Sequence, residues 1–327
     1  MKNVKIKGVG SYVPQRVVTN YDLSKLVDTN NEWIIDRTGI SERRISEGED
    51  TSIIAAKASE EAIKDAKISG EELDLIIVAT ITPDSFTPSV ACNLQKILGA
   101  KNATAFDINA ACTGFIYALE VAESLLKTGR YNKALVVGAE TLSKIVDWTD
   151  RSTCVLFGDG GGAAILAAED GEENSGILGT YSISDGEKGD ALTAYANDVV
   201  NPFIKGDIEN RNKYVKMNGR EVFRFATKAM VNSVEEVLKN TGYTLEDVDY
   251  VIPHQANLRI IDYAARKLNM PIEKFYTNLG NYGNTSSASV PIALDGIYKE
   301  GKITKGNIVI LVGFGGGLTC GATLIKW

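Results

Sequence analysis

The sequence predicts a duplicated α/β fold, with two mixed five-stranded sheets related by a pseudo-two-fold axis. Three observations carry this. EELDLIIVAT (71–80) and LEDVDYVIPH (245–254) both run from an acidic helix end into a buried strand, and aligning Asp74 with Asp249 sets an offset of about 175 residues. NKALVVGAE (132–140) is echoed by GNIVILVGF (306–314) at nearly the same offset. Between these strands each half holds a small-residue turn and an amphipathic helix, ACTGFIYALEVAESLL (111–126) and SSASVPIALDGIYKEG (286–301).

The remaining elements follow in order. A helix precedes each first strand, AAKASEEAIKDA (55–66) and ATKAMVNSVEEVL (226–238), and each half closes on a glycine-rich turn plus strand, GDGGGAAILAAED and GGGLTCGATLIKW. This is a β-α-β-type unit used twice. The division falls at residues 1–170 and 171–327. The polar, glycine-containing stretch from about 170 to 222 reads as a long surface excursion with isolated short strands at most, placed to cover a substrate tunnel.

Composition narrows the function. In 327 residues, 44% are hydrophobic and 24% charged, ordinary values for a soluble globular protein. A net charge of −7 argues against a nucleic-acid binder, which needs a basic face. The N-terminal MKNVKIKGVGSYVP lacks the apolar core of a signal peptide, and the longest apolar run, LIIVATI (75–81), is too short to span a bilayer. A cytoplasmic protein is expected, with no membrane partner. Cys92, Cys112, Cys154 and Cys320 are widely spaced with no CxxC pair, and a single histidine leaves few imidazole ligands. Neither a disulfide framework nor a metal site is expected.

That one histidine, His254, stands in VIPHQAN (251–257) at the end of a buried-strand pattern, where α/β proteins place reactive groups. Cys112, in DINAACTGFIYAL (107–119), has small neighbours and precedes a buried helix. A thiol there faces the positive end of the helix dipole, which favours the thiolate. The same pattern also fits a small buried structural cysteine. In NYGNTSSASVP (281–291), Gly283 permits an unusual turn and Asn284 follows it, as turn residue, cap or active group. GFGGGLTCG (313–321) exposes backbone N–H groups that can hold an oxyanion, or simply makes a tight strand-to-strand turn. A pseudo-two-fold brings the equivalent loops together, so Cys112, His254 and Asn284 should converge on one pocket.

ACTGF, PHQAN, GNTSSAS and GFGGG, in this order and spacing, resemble the β-ketoacyl-acyl carrier protein synthase III family of thiolase-fold condensing enzymes. The resemblance runs from SYVPQRVVTN through WIIDRTGISERR to the C-terminal strand. It implies a thiolase-like α-β-α-β-α layered fold and a decarboxylative Claisen condensation. Cys112 would take an acyl group from acetyl-CoA or a similar primer. His254 and Asn284 would hydrogen-bond the malonyl thioester carbonyl as CO2 leaves, and the N–H groups of Cys112 and Gly316 would hold the tetrahedral oxyanion. The product would be 3-ketoacyl-acyl carrier protein, made without a cofactor. Because loss of CO2 itself generates the carbanion, one neutral imidazole suffices.

The resemblance also implies binding sites. Trp33, Arg37 and Arg151 match the CoA-binding positions, although alone they read as an exposed or core aromatic and two solvated arginines. Arg224, Arg259, Arg266 and Lys267 match a basic rim for the acidic acyl carrier protein. TPDSFTPSVAC (82–92) matches a loop that crosses the interface of a homodimer toward the partner's acyl pocket. Thr87 stands there where relatives can carry phenylalanine, allowing branched or longer primers, and Phe314 is assigned to the same pocket. Cys320 stands where relatives often carry tryptophan.

Three rivals within the fold fit less well. A thiolase needs a second active-site cysteine in a setting that LTCG does not supply. A plant-type polyketide synthase lacks this N-terminal pattern, and a hydroxymethylglutaryl-CoA synthase needs a carboxylate near the cysteine loop. A non-catalytic carrier-binding subunit would have lost the nucleophile, and Cys112 is present.

Overall fold

The first half is built on one mixed sheet. In the computed structural model, which describes residues 2–170, 175–204 and 211–327, the chain enters through β1 (Asn3–Tyr12). A ribbon of β2 (Val17–Thr19) and β3 (Glu42–Arg44) brackets helices α1 (Asn20–Leu23) and α2 (Asn31–Thr38). Helix α3 (Thr51–Ala66) leads to β4 (Leu75–Ala79), α4 (Val90–Ile97) to β5 (Thr104–Ile108), and α5 (Gly114–Lys127) to β6 (Lys133–Glu140) and β7 (Gly160–Glu169). The sheet order is β1-β7-β6-β4-β5, with β4 parallel to its neighbours and β7 antiparallel to both of its own.

The second half repeats this plan through β8 (Gly176–Ser184), the ribbon of β9 (Leu192–Thr193) and β10 (Lys216–Met217), and α6 (Gly219–Thr241). Then come β11 (Tyr250–Pro253), α7 (Leu258–Lys267), α8 (Leu279–Tyr282), α9 (Ser289–Lys299), β12 (Ile308–Gly315) and β13 (Thr319–Lys326). The order β8-β13-β12-β11 reproduces β1-β7-β6-β4. The echo read in the sequence has an atomic counterpart: Asp74 Oδ1 accepts the N–H of Lys133 at 3.0 Å, and Asp249 Oδ2 accepts that of Ile308 at 2.8 Å.

Two expectations change. Among the described residues the second sheet has four strands, and the fifth position is held by a single parallel bridge from Phe275 to Val251. Pro271 and the 3-10 turn Ile272–Lys274 immediately before Phe275 leave too little extended chain for a strand. The stretch from 170 to 222 is not all surface excursion, because β8 is a nine-residue strand paired along β13. Its alternation is masked by glycine and serine on a weakly buried face. Residues 171–174 and 205–210 of that stretch lie outside the described residues, and the expected division at 170/171 abuts the first of these.

Strand alternation sorts the core into layers. Leu75, Ile77 and Ala79 of β4, with Val309 and Leu311 of β12, pack on α5 and α9, which lie between the two sheets. Ile76 and Val78 face α3 and α4 on the outside. Ile310 and Val312 face α6 and α7 on the opposite outside. The result is an α-β-α-β-α stack, in which both central helices begin at the sheets' C-terminal edges.

Candidate active site

Both central helices are entered through the same strained turn. A 3-10 turn, Ala111–Thr113, precedes α5, and another, Ser286–Ala288, precedes α9. The first residue of each is left-handed, with φ 46° at Ala111 and 49° at Ser286. A non-glycine residue held there persists only where its surroundings over-determine it. The two turns pack on each other, the first also against β12 and the second against β6. Glycines permit that approach: a Cβ at Gly138 would sit 2.2 Å from the Ser287 carbonyl oxygen, and one at Gly315 only 2.7 Å from Cys112 Cβ.

Cys112 is buried in the first turn, at the floor of a cavity of about 800 Å³. The cavity is lined from both halves, by Thr80, Phe157, Ser286, Gly316 and Thr319 among others, and by Leu192–Ala196, Lys213 and Val215 of the excursion. Helix-dipole reasoning favours a thiolate at Cys112, but burial dominates and pushes the thiol up to about 12.

His254 follows β11 and is 1% exposed. Its Nδ1 lies 2.6 Å from Ser289 Oγ, and its ring meets Phe314 edge-on at 5.1 Å. Ser289 Oγ also accepts the Gln255 N–H at 3.4 Å; when its own proton goes to Nδ1, the imidazole proton resides on Nε2. Burial lowers the His254 pKa to about 3, so the ring is neutral at physiological pH. Asn284 pairs with Phe157 in an isolated bridge, its N–H donating to Leu156 O at 2.8 Å, while its Oδ1 accepts the Ser286 N–H at 2.8 Å.

Of the residues expected to share one pocket, Cys112 and Gly316 line the cavity, whereas Asn284 and His254 are not among its lining residues and are tied to the second turn, Asn284 through the Ser286 N–H and His254 through Ser289. Phe314 is placed differently from expectation: it packs on His254 and does not line the cavity. Lying between Gly313 and Gly315 on β12, it faces the imidazole. Thr87 is exposed and lies outside this chain's own cavity, whereas its neighbour Phe86, 82% exposed, stands at the cavity's mouth.

Trp33, Arg37 and Arg151 also lie outside the cavity lining. Trp33 is 37% exposed on α2, with the Arg151 guanidinium 5.5 Å from its ring centroid and Arg151 Nη1 donating to Asp28 O at 2.8 Å. Arg37, exposed at the end of the same helix, accepts the Asn257 side-chain N–H on its carbonyl at 3.0 Å. Arg259 donates to Asp36 Oδ2 and to the Asp36 carbonyl, both at 2.9 Å. This ties α7 to α2. Arg266 and Lys267 are exposed on α7, and Arg224 is exposed on the adjacent α6 beside Arg220 and Lys228 at helical spacing.

Sequence reasoning missed several polar groups. Glu140, fully enclosed at the end of β6, accepts hydrogen bonds from Thr80 Oγ1 at 3.1 Å, Thr82 Oγ1 at 2.5 Å and Ser287 Oγ at 2.8 Å, and burial raises its pKa. Arg43, also fully buried, donates to Val155 O at 2.8 Å and to Asn20 Oδ1 at 2.9 Å, backing the wall that carries Phe157. Burial lowers its pKa to about 10, so it stays charged. Only the serines of GNTSSAS offered a sequence signal. Among the described residues, no cluster of three His, Cys, Asp or Glu side chains is placed to hold a metal, and no helix is long and apolar enough to cross a membrane.

The layered fold and its duplicated turns define a thiolase-like α/β protein. Residues 106–186 match the family described as 3-oxoacyl-[acyl-carrier-protein] synthase III, and residues 238–327 match that family's C-terminal region. Over its full length the chain is 56% identical to the β-ketoacyl-[acyl-carrier-protein] synthase III of Clostridium novyi, covering all of that protein. It is also 56% identical to the enzyme of the same name from Clostridium acetobutylicum, covering 99% of it. The crystal structure of 3-oxoacyl-[acyl-carrier-protein] synthase III from Aquifex aeolicus superposes with a TM-score of 0.92 at 48% identity, over 99% of this chain and 100% of that one. The chain belongs to the 3-oxoacyl-[acyl-carrier-protein] synthase III family, and is a condensing acyltransferase of fatty-acid synthesis.

Proposed function

We propose that this chain joins an acyl-CoA primer to malonyl-acyl carrier protein through an acyl-Cys112 intermediate. The observation that carries the reading is the meeting of the Cys112 turn with the Ser286 turn at one cavity, with Asn284 bonded to Ser286 and a neutral His254 bonded to Ser289 at the two ends of the second turn. In acylation Cys112 Sγ attacks the thioester carbonyl. The tetrahedral oxyanion sits on the N–H groups of Cys112 and Gly316, and the C–S bond to CoA breaks. The proton lost by one sulfur is regained by the other, so no net base is needed.

Malonyl-acyl carrier protein then loses CO2, and the electron pair becomes an enolate. The Nε2–H of His254 and the side-chain N–H of Asn284 donate to its oxygen. Neutral donors aimed at developing charge in a dry site stabilise it without reorganising. The carbanion forms a C–C bond to the acyl carbonyl and displaces Cys112, which takes a proton from solvent. The chemistry asks for no resident cofactor, only CoA thioesters as substrates.

Trp33, Arg37 and Arg151 are proposed to hold the CoA nucleotide, by stacking and phosphate contact. Arg224, Arg259, Arg266 and Lys267 are proposed as the carrier-protein rim. The size of the cavity supports branched or longer primers beside acetyl-CoA. A homodimer is part of the proposal, supported by the exposed Phe86–Thr87 loop and the edge strand β5, and a cytoplasmic location goes with it. The test is a panel of acyl-CoA primers with malonyl-acyl carrier protein, followed by mass spectrometry of the carrier protein. A 3-ketoacyl product with at least one primer supports the reading; release of CO2 with no chain extension contradicts it.

A further inference from the structure

The three serines of TSSAS each point somewhere different. Ser287 Oγ donates into the first sheet, to Ala79 O at 2.9 Å and Glu140 Oε1 at 2.8 Å. Ser289 Oγ serves His254. Ser286 is 1% exposed and lines the cavity beside Cys112, yet its Oγ makes no hydrogen bond of full geometry among the described residues. Its backbone N–H is already committed to Asn284 Oδ1. An enclosed hydroxyl without a partner is costly unless some state of the site supplies one.

We propose that Ser286 is a catalytic residue of the cysteine half-reaction, donating a hydrogen bond from Oγ to Cys112 Sγ whenever that sulfur carries negative charge. This rests on the reading of Cys112 as nucleophile. The charge appears twice: as Sγ releases its proton before the C–S bond to the acyl group forms, and as that bond breaks with its electron pair left on Sγ. Ser286 keeps its own proton throughout, so the step adds no acid or base to the balance. Burial and the nearby Glu140 both disfavour the thiolate, and the Ser286 hydroxyl is the largest influence in the opposite direction. Ser286 lines the cavity with Cys112 from a left-handed backbone of φ 49°.

The experiment measures Cys112 alkylation by iodoacetamide against pH, using peptide mass spectrometry, in the full-length protein and in Ser286→Ala and Ser286→Gly. The expected result is an alkylation rate at pH 8 reduced about tenfold in both variants, the size of one hydrogen bond to a charged group. The pH profile should move upward by about one unit. Acetyl transfer from acetyl-CoA to Cys112 should fall in parallel, while malonyl decarboxylation falls less than threefold, because both variants retain the N–H that Asn284 uses. If the serine merely held the turn, glycine would relieve the left-handed strain and outperform alanine. That outcome, or wild-type alkylation rates in either variant, overturns the proposal. Failure of the wild-type protein to accept an acyl group would instead overturn the functional reading, since the alkylation profile needs no acyl-CoA.

Discussion

Ser289 Oγ sits 2.6 Å from His254 Nδ1 while receiving the Gln255 N–H, and a serine proton given to Nδ1 leaves the imidazole proton on the nitrogen away from the serine. Ser289 is thus a positioning residue that acts through His254. Ser289→Ala frees the ring to adopt either tautomer and is expected to lower malonyl decarboxylation about tenfold. Acylation of Cys112 should be untouched, and Ser289→Thr should restore decarboxylation. His254→Ala is expected to cost about 100- to 1000-fold in decarboxylation, the loss typical of a donor facing an oxyanion. Equal losses in both half-reactions would refute this division of labour.

The neutral state of His254 has two consequences for pH. With the pKa lowered to about 3 by burial, its titration lies outside the working range. Decarboxylation should show no His254-dependent change between about pH 5 and 8. Stability behaves otherwise. Below 6.5 the unfolded chain binds a proton that the folded site refuses until about 3. The contribution is therefore complete above pH 6.5 and is lost as the pH falls through that window. Denaturant unfolding of wild type and His254→Gln at pH 7 and 4.5 should show the wild type's lead shrinking at the lower pH. An unchanged lead would mean that the ring is accessible to protons.

Arg259 is held by Asp36 in the unbound chain, so the proposed carrier-protein contact competes with an internal ion pair. Exposed pairs of this kind are weak, typically about 0.2–1 kcal/mol. Asp36→Asn is accordingly expected to lower the KM for malonyl-acyl carrier protein about twofold. Arg259→Glu should raise it about tenfold or more and leave acylation by CoA primers intact. Steady-state kinetics at two ionic strengths would check both, since the effects should fade with salt. Unaltered carrier-protein kinetics in Arg259→Glu would remove this face from the docking surface.

Gly315 lets β12 pass against the nucleophile's turn. A Cβ there would fall 2.7 Å from Cys112 Cβ and 2.9 Å from its backbone nitrogen. Gly315→Ala must push the turn away. It is expected to destabilise the fold by about 1–3 kcal/mol and to slow Cys112 acylation more than tenfold. Wild-type acylation in this variant would show that the turn's position is not critical.

Much of this was legible in the sequence because buried strands announce themselves as apolar runs at a fixed offset. β4, β6, β11 and β12 fall where those runs stand. β8 was not legible, since GILGTYSIS carries glycine, threonine and serine where a buried strand would carry branched apolar residues. Cys112, His254 and Asn284 were marked by short motifs. Glu140, Arg43 and Ser289 act through buried partners 60, 112 and 35 residues distant in sequence, pairings that no local pattern displays. Helix-dipole logic at Cys112 is local, whereas the desolvation that pushes its thiol up comes from the whole surrounding fold.

The central claim is tested most directly by intact-mass spectrometry after incubation with acetyl-CoA alone. Wild-type protein should gain one acetyl group, and Cys112→Ala should gain none. An acetyl adduct that survives in Cys112→Ala, or its absence from the wild type with every acyl-CoA offered, would contradict the account.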